Sequence, residues 1–103
     1  MIKNSKNLML KVSVCIPAYN EEDSIIKCLT SVSNQESIEI DEILVGTNLS
    51  TDRTDELVNA YAKKDSRVKV VTSLKGKANA WNALNREAKN SLRIFQDGTV
   101  LRL

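Results

Sequence analysis

The sequence contains no histidine, which removes the common zinc sites and every His-based catalytic triad. Its two cysteines, Cys15 and Cys28, lack C-x-x-C spacing. One falls in an apolar run and the other in a helical pattern, so both read as buried thiols of a reducing compartment. Four aromatics, Tyr19, Tyr61, Trp81 and Phe95, are too few and too scattered to stack bases beside a basic stripe. Fifteen Lys+Arg against thirteen Asp+Glu leave a net charge of +2 with no block of one sign, so no nucleic-acid partner is expected. Long apolar runs are missing too. Residues 8–10 are apolar but Lys11 follows them, so neither a secretory leader nor a membrane span is expected and a cytoplasmic location is. With 42% hydrophobic and 27% charged residues in a 103-residue chain, disorder and low complexity are also excluded, and one domain, residues 1–103, is the natural division.

Periodicity supplies the elements that are present. Residues 11–16 (KVSVCI) form a β-branched apolar run stopped by Pro17, the mark of a buried strand. Asn20 can cap a helix over residues 21–34, in which Ile25, Leu29 and Val32 share a face with Ile26 beside them, and Glu21, Glu22 and Asp23 load the first turn with negative charge. A second strand lies at residues 42–45. Ser50 or Thr51 then caps a second helix carrying Leu57, Val58 and Tyr61 to about residue 64. Residues 68–72 are a third strand, a third helix follows Gly76 to about residue 89 with Ala80, Ala83, Leu84 and Ala88 on one side, and residues 92–96 are a fourth strand. The order β-α-β-α-β-α-β, with strands that do not alternate, predicts a Rossmann-like open parallel sheet in a three-layer α/β/α arrangement. Ligands of such sheets sit beyond the carboxyl ends of the strands, which directs attention to residues 17–22, 46–52, 73–77 and 97–99.

The first of these loops, Pro17-Ala18-Tyr19-Asn20-Glu21-Glu22, has neither G-x-G-x-x-G nor the GK[ST] of a phosphate loop. A planar base is the better guest: Tyr19 offers a face for stacking, with Pro17 and Ala18 holding the backbone close. The competing reading is that Asn20, Glu21 and Glu22 only begin a helix.

These residues carry a resemblance. IPAYNEE (residues 16–22) closely resembles the opening motif of the family-2 glycosyltransferases, which have the GT-A nucleotide-sugar fold. The stretch EILVGTNLSTDRT (42–54) keeps the S-T-D-x-T of the family's D-D-G-S-T-D-G-T. KGKANAWNAL (75–84) is similar to its GK-x-x-A-x-N region, and RIFQDGTV (93–100) stands where a hydrophobic strand delivers a D-x-D motif. Together the matches cover about residues 11–100.

The resemblance implies that the first loop holds the base of a nucleotide-diphospho-sugar through Pro17, Ala18, Tyr19 and Glu21. It also implies an acidic contact after the second strand, where this chain instead carries Thr47 and Asn48. An amide both donates and accepts, so Asn48 can still meet a base edge; equally, it can serve only as a loop residue that tolerates a left-handed conformation. Asp52 reads as part of the helix start, favoured by the dipole. Of the D-x-D pair, which would hold Mg or Mn on the diphosphate, only Asp97 remains, with Thr99 in the second place. A metal on Asp97 is therefore expected to bind weakly, and the bland alternative makes Asp97-Gly98 a turn closing the strand. Lys75 and Lys77 flank Gly76 near a helix N-terminus and could offset phosphate charge, or could simply be solvated. Trp81 reads as packing.

In the family the catalytic base and acceptor groove lie beyond the D-x-D strand, and this sequence stops four residues after Thr99. No catalytic residue is therefore assigned, and the expectation is the donor-binding half of a family-2 glycosyltransferase without its acceptor half. Three classes stay open: part of a split or longer enzyme, a silent nucleotide-binding module, or an interaction module whose fourth-strand edge pairs with a second copy or a complementary chain.

Overall fold

The computed structural model describes residues 11–47, 49–74 and 76–95, and for Lys77 the backbone alone. The elements are β1 (Lys11–Pro17), α1 (Ile25–Ser33), β2 (Glu39–Gly46), α2 (Thr54–Ala62), β3 (Val68–Val71), α3 (Lys77–Glu87) and β4 (Leu92–Phe95). The strands form one sheet in the order β3-β2-β1-β4, and every pairing is parallel. The α/β reading and the order of elements from the sequence hold.

Helices cover both faces, which is why the strands are apolar on both sides. One face carries Val12, Val14 and Ile16 of β1 with Ile43 and Val45 of β2, packed against Ile25, Cys28, Leu29 and Val32 of α1 and Val58 of α2. The other carries Cys15 and Leu44 under Leu84 and the adjoining Ala88. Ala80 and Ala83 are buried on the same side of α3, and their small side chains let this helix lie close to the sheet. The closest approach is at Gly46, where an added Cβ would meet the Leu84 side chain at 3.3 Å.

A register shift interrupts the β1–β2 ladder: Val12 faces Ile40, Ser13 faces Glu42, and Asp41 is passed over. This is a β-bulge. It turns Ile40 into the same core cluster as Ile43, three residues on, although simple alternation would set them on opposite faces.

The helix starts differ from expectation. Asn20 does not cap α1, and the acidic triplet does not occupy its first turn: the N-cap is Ser24 and the first turn holds no acidic residue. Asn20 has φ 53°, a left-handed conformation that an N-cap does not adopt, and Ser24 N and Ile25 N both donate to Glu21 O in a separate turn ahead of the helix. Ser50 and Thr51 likewise do not cap α2, whose N-cap is Arg53. Their hydroxyls are engaged across the sheet edge instead. No helix among the described residues is long and apolar enough to cross a membrane.

Candidate functional site

Because all strands run one way, their carboxyl ends share one edge of the sheet. The chain steps from β1 through β2 to β3, then returns on the far side of β1 as β4, so the winding reverses between β1 and β4. Open α/β sheets bind ligands beyond the strand ends at such a reversal. Pro17 closes β1 opposite Gly46, and Ala18, buried, donates its N–H to Gly46 O at 2.8 Å. Tyr19 follows with 41% of its surface exposed.

Beyond Tyr19 the first loop is bound to the loop after β2. Three successive backbone N–H groups, those of Asn20, Glu21 and Glu22, donate to Ser50 Oγ (3.0 Å), Thr54 Oγ1 (2.8 Å) and Asp52 Oδ2 (3.2 Å). The second loop is held in return: Thr51 N donates to Asn20 Oδ1 and Arg53 N to Glu22 Oε1, each at 2.8 Å. Ser50 Oγ also reaches Thr47 O at 2.8 Å and Ala18 O at 3.3 Å. Asp52 Oδ1 accepts from both the hydroxyl and the N–H of Thr54. Partial desolvation pushes the Asp52 carboxyl upward, but the hydrogen bonds from Thr54 and the Glu22 N–H outweigh it and hold the group below its ordinary range. Asp52 thus serves the start of α2 and ties it to the first loop.

Successive backbone N–H groups form the anion cradle of glycine-rich phosphate loops. Here the three successive N–H groups are met instead by side-chain oxygens of the chain itself, those of Ser50, Thr54 and Asp52. The four residues shared with the family stretch, Ser50, Thr51, Asp52 and Thr54, all take part in this lacing. Leu49 stands where that stretch has its first glycine, and it adopts φ 57°, a conformation that glycine takes without strain. The sequence shows no sign of the Glu22 carboxylate as a loop partner, and it offers Ser50 or Thr51 as a helix cap where the structure has Arg53. The S-T-D-x-T spacing was the available signal.

Of the expected site residues, the structure brings Pro17, Ala18, Tyr19 and Glu21 together beside the β2–α2 loop. Asn48, Asp97, Thr99 and Lys75 lie outside the described residues. Lys77 begins α3, and its side chain lies outside them as well. Among the described residues, no group of three or more His, Cys, Asp or Glu could hold a metal ion. Trp81 stacks on Phe95 with ring centroids 4.2 Å apart and planes 25° from parallel, so its ring joins α3 to β4.

A family model, Glycosyl transferase family 2, matches residues 13–98. Among curated proteins, the Bacillus subtilis uncharacterized glycosyltransferase EpsJ is 34% identical over 88 residues, covering 84% of this chain and 25% of that protein. The poly(ribitol-phosphate) beta-glucosyltransferase of Bacillus spizizenii is 41% identical over 63 residues, covering 60% of this chain and 10% of that protein. Among solved structures, S. aureus TarS 1-349 in complex with UDP-GlcNAc superposes with TM-score 0.71 at 29% identity, covering 86% of this chain and 26% of that one. The mannosyltransferase PcManGT from Pyrobaculum calidifontis, in complex with GDP-Man and Mn2+, gives TM-score 0.79 at 27% identity over 87% of this chain and 28% of that one. The chain therefore spans about a quarter, or less, of the length of these relatives. Its strand order, the laced loops at the carboxyl edge and a family match over most of its length make it a member of glycosyl transferase family 2.

Proposed function

We propose that residues 1–103 form a single donor-side unit of a family-2 glycosyltransferase, one that binds a nucleotide-diphospho-sugar. The observation that carries this reading is the first loop. Its amides meet Ser50, Thr54 and Asp52, and Tyr19, partly exposed, follows β1 at the carboxyl edge of the sheet, where a base could stack on it. Similarity to proteins solved with UDP-GlcNAc and with GDP-Man and Mn2+ supports the same ligand class. We assign Pro17, Ala18, Tyr19 and Glu21 to the base, Asn48 to its edge and Lys77 to the diphosphate. A Mg or Mn ion on that diphosphate would find one carboxylate here, Asp97. With Thr99 in the second place, diphosphate oxygens and water would complete the shell.

Sugar transfer by this chain alone is not expected. Thr47, Asn48 and Thr99 replace acidic residues of the family pattern, which also favours a second reading: a non-catalytic nucleotide-binding or protein-interaction module derived from the same fold. The two buried thiols, Cys15 and Cys28, which form no disulfide, support a reducing, cytoplasmic setting.

The test is a titration of labelled protein with UDP, UDP-glucose and GDP, each with and without Mn, followed by amide chemical shifts. Shifts gathered at Tyr19, Asn48, Lys77 and Asp97 are expected, and Tyr19→Ala should weaken binding by the ~1–3 kcal/mol typical of base stacking. No shift at millimolar ligand overturns the donor reading.

A further inference from the structure

Tyr19 is the candidate base platform, and the residue that follows it makes the most extensive set of hydrogen bonds to the β2–α2 loop. Asn20 binds the β2–α2 loop through three groups. Its N–H donates to Ser50 Oγ at 3.0 Å, its Nδ2 donates to Thr51 Oγ1 at 3.1 Å, and its Oδ1 accepts from Thr51 N at 2.8 Å. Its backbone is left-handed, with φ 53°, so the chain turns sharply directly after the tyrosine. Asparagine suits both demands, since it tolerates this conformation and its amide both donates and accepts.

We propose that Asn20 is a positioning residue for nucleotide binding: by pairing in both directions with Thr51, it fixes the turn that sets Tyr19 at the sheet edge. This deepens, and rests on, the donor-site reading. The role is distinct from holding the fold together. Asn20 and Thr51 are exposed surface residues, whereas the core beneath is closed by Ala18, Ile16 and Val45. Losing the side-chain pair therefore loosens the turn after Tyr19 without opening the core, and a loosened turn weakens binding because its ordering falls on the binding step.

Three variants separate the side chain from the backbone. Asn20→Gly keeps the left-handed turn free of strain and removes only the side-chain pairing. Asn20→Ala removes the pairing and adds strain, and Asn20→Asp keeps the Oδ1 acceptor for Thr51 N and an acceptor for the Thr51 hydroxyl. The expected result is a loss of affinity for UDP or GDP of about tenfold in Asn20→Gly, the scale of one or two hydrogen bonds, with a melting temperature close to wild type. Asn20→Asp should recover most of that affinity. Wild-type affinity in Asn20→Gly, or a loss that Asn20→Asp shares in full, overturns the proposal. The amide and ring shifts of Tyr19 and hydrogen exchange at Thr51 N–H are read without nucleotide in the same variants. If the wild type binds no nucleotide, the donor reading fails by itself. Displaced Tyr19 signals and faster Thr51 exchange in Asn20→Gly still support the positioning role, and unchanged ones overturn it.

Discussion

Ser13 Oγ donates to Glu42 Oε2 at 2.7 Å, joining β1 and β2 through two buried side chains on the face covered by α3. The same carboxylate oxygen accepts from Lys89 N at 2.7 Å, and Asn90 reaches Ser13 Oγ through its N–H at 3.2 Å and its Nδ2 at 3.0 Å. Lys69 Nζ stands 3.8 Å from the other carboxylate oxygen. The turn that leads from α3 into β4 thus hangs on Glu42. Glu42→Ala leaves the Lys89 N–H without its acceptor and is expected to cost about 2–4 kcal/mol in urea unfolding, with Glu42→Gln closer to wild type. An alanine variant as stable as the parent would mean that water replaces the carboxylate at no cost.

Leu49 has φ 57° and is half exposed. A left-handed conformation costs a β-carbon residue roughly 1–2 kcal/mol, and asparagine less. Leu49→Asn is therefore expected to raise stability by up to about 1 kcal/mol, seen as a higher urea midpoint at unchanged slope. A lower midpoint would show that the leucine side chain makes contacts worth more than the strain.

Asp65 and Arg67 form a part-buried pair at 2.8 Å, and Arg67 extends from there to Ser33 O at 3.2 Å, tying the end of α1 to the turn before β3. The Arg67 side-chain hydrogen bonds hold the Asp65 carboxyl at about 2 against 3.8 ordinarily, with burial opposing and the Arg67 N–H and Ser33 hydroxyl assisting. A depressed carboxylate stabilises the folded state above its unfolded pKa, and that contribution fades as pH falls from about 4 through about 2. Discounted for partial exposure, it amounts to about 1–2 kcal/mol. Arg67→Met should flatten the stability profile across this window, and a profile as steep as wild type would remove the pair as its source.

Burial pushes the Cys15 thiol up to about 11 from 9.0; Arg93 opposes the shift and Glu42 adds to it. A raised thiol is neutral in the folded chain while the unfolded chain ionises, so its contribution is intact below pH 9 and is lost as pH rises from 9 through 11. Cys15 and Cys28 are both fully buried, and at pH 8 neither is expected to react with an alkylating reagent until the chain unfolds. Rapid native-state labelling would contradict the packing on both sides of the sheet.

Much of this fold was written in local pattern. Ala80, Ala83, Leu84 and Ala88 are all buried as the helical period requires, and Ile25, Leu29 and Val32 likewise. Ile26, expected beside them, is 38% exposed, because the buried stripe of α1 runs through Ile25, Cys28, Leu29 and Val32 and Ile26 lies on its flank. The bulge at Asp41 was not legible, since it depends on β2 pairing with a strand some thirty residues away and leaves no local mark. The helix caps failed for a related reason. Ser50, Thr51 and Asn20 have the right chemistry to cap, but that chemistry serves any backbone N–H within reach, and tertiary structure offered partners across the edge. The identity of the first-loop residues was visible; what holds them in place was not.

The sheet order also sets a sequence of assembly. β1, β2 and β3, with α1 and α2 on one face, are complete by Val71 and enclose the larger core cluster. β4 then pairs with β1 across about eighty residues, Val12 meeting Leu92, and α3 closes the second face. Loop closure over so long a span is slow and entropically unfavourable until its contacts form. Residues 11–71 are thus expected to collapse first, with β4 docking onto a surface already made. During synthesis the edge of β1 waits unpaired, and a strand from another chain could occupy it before the protein's own does.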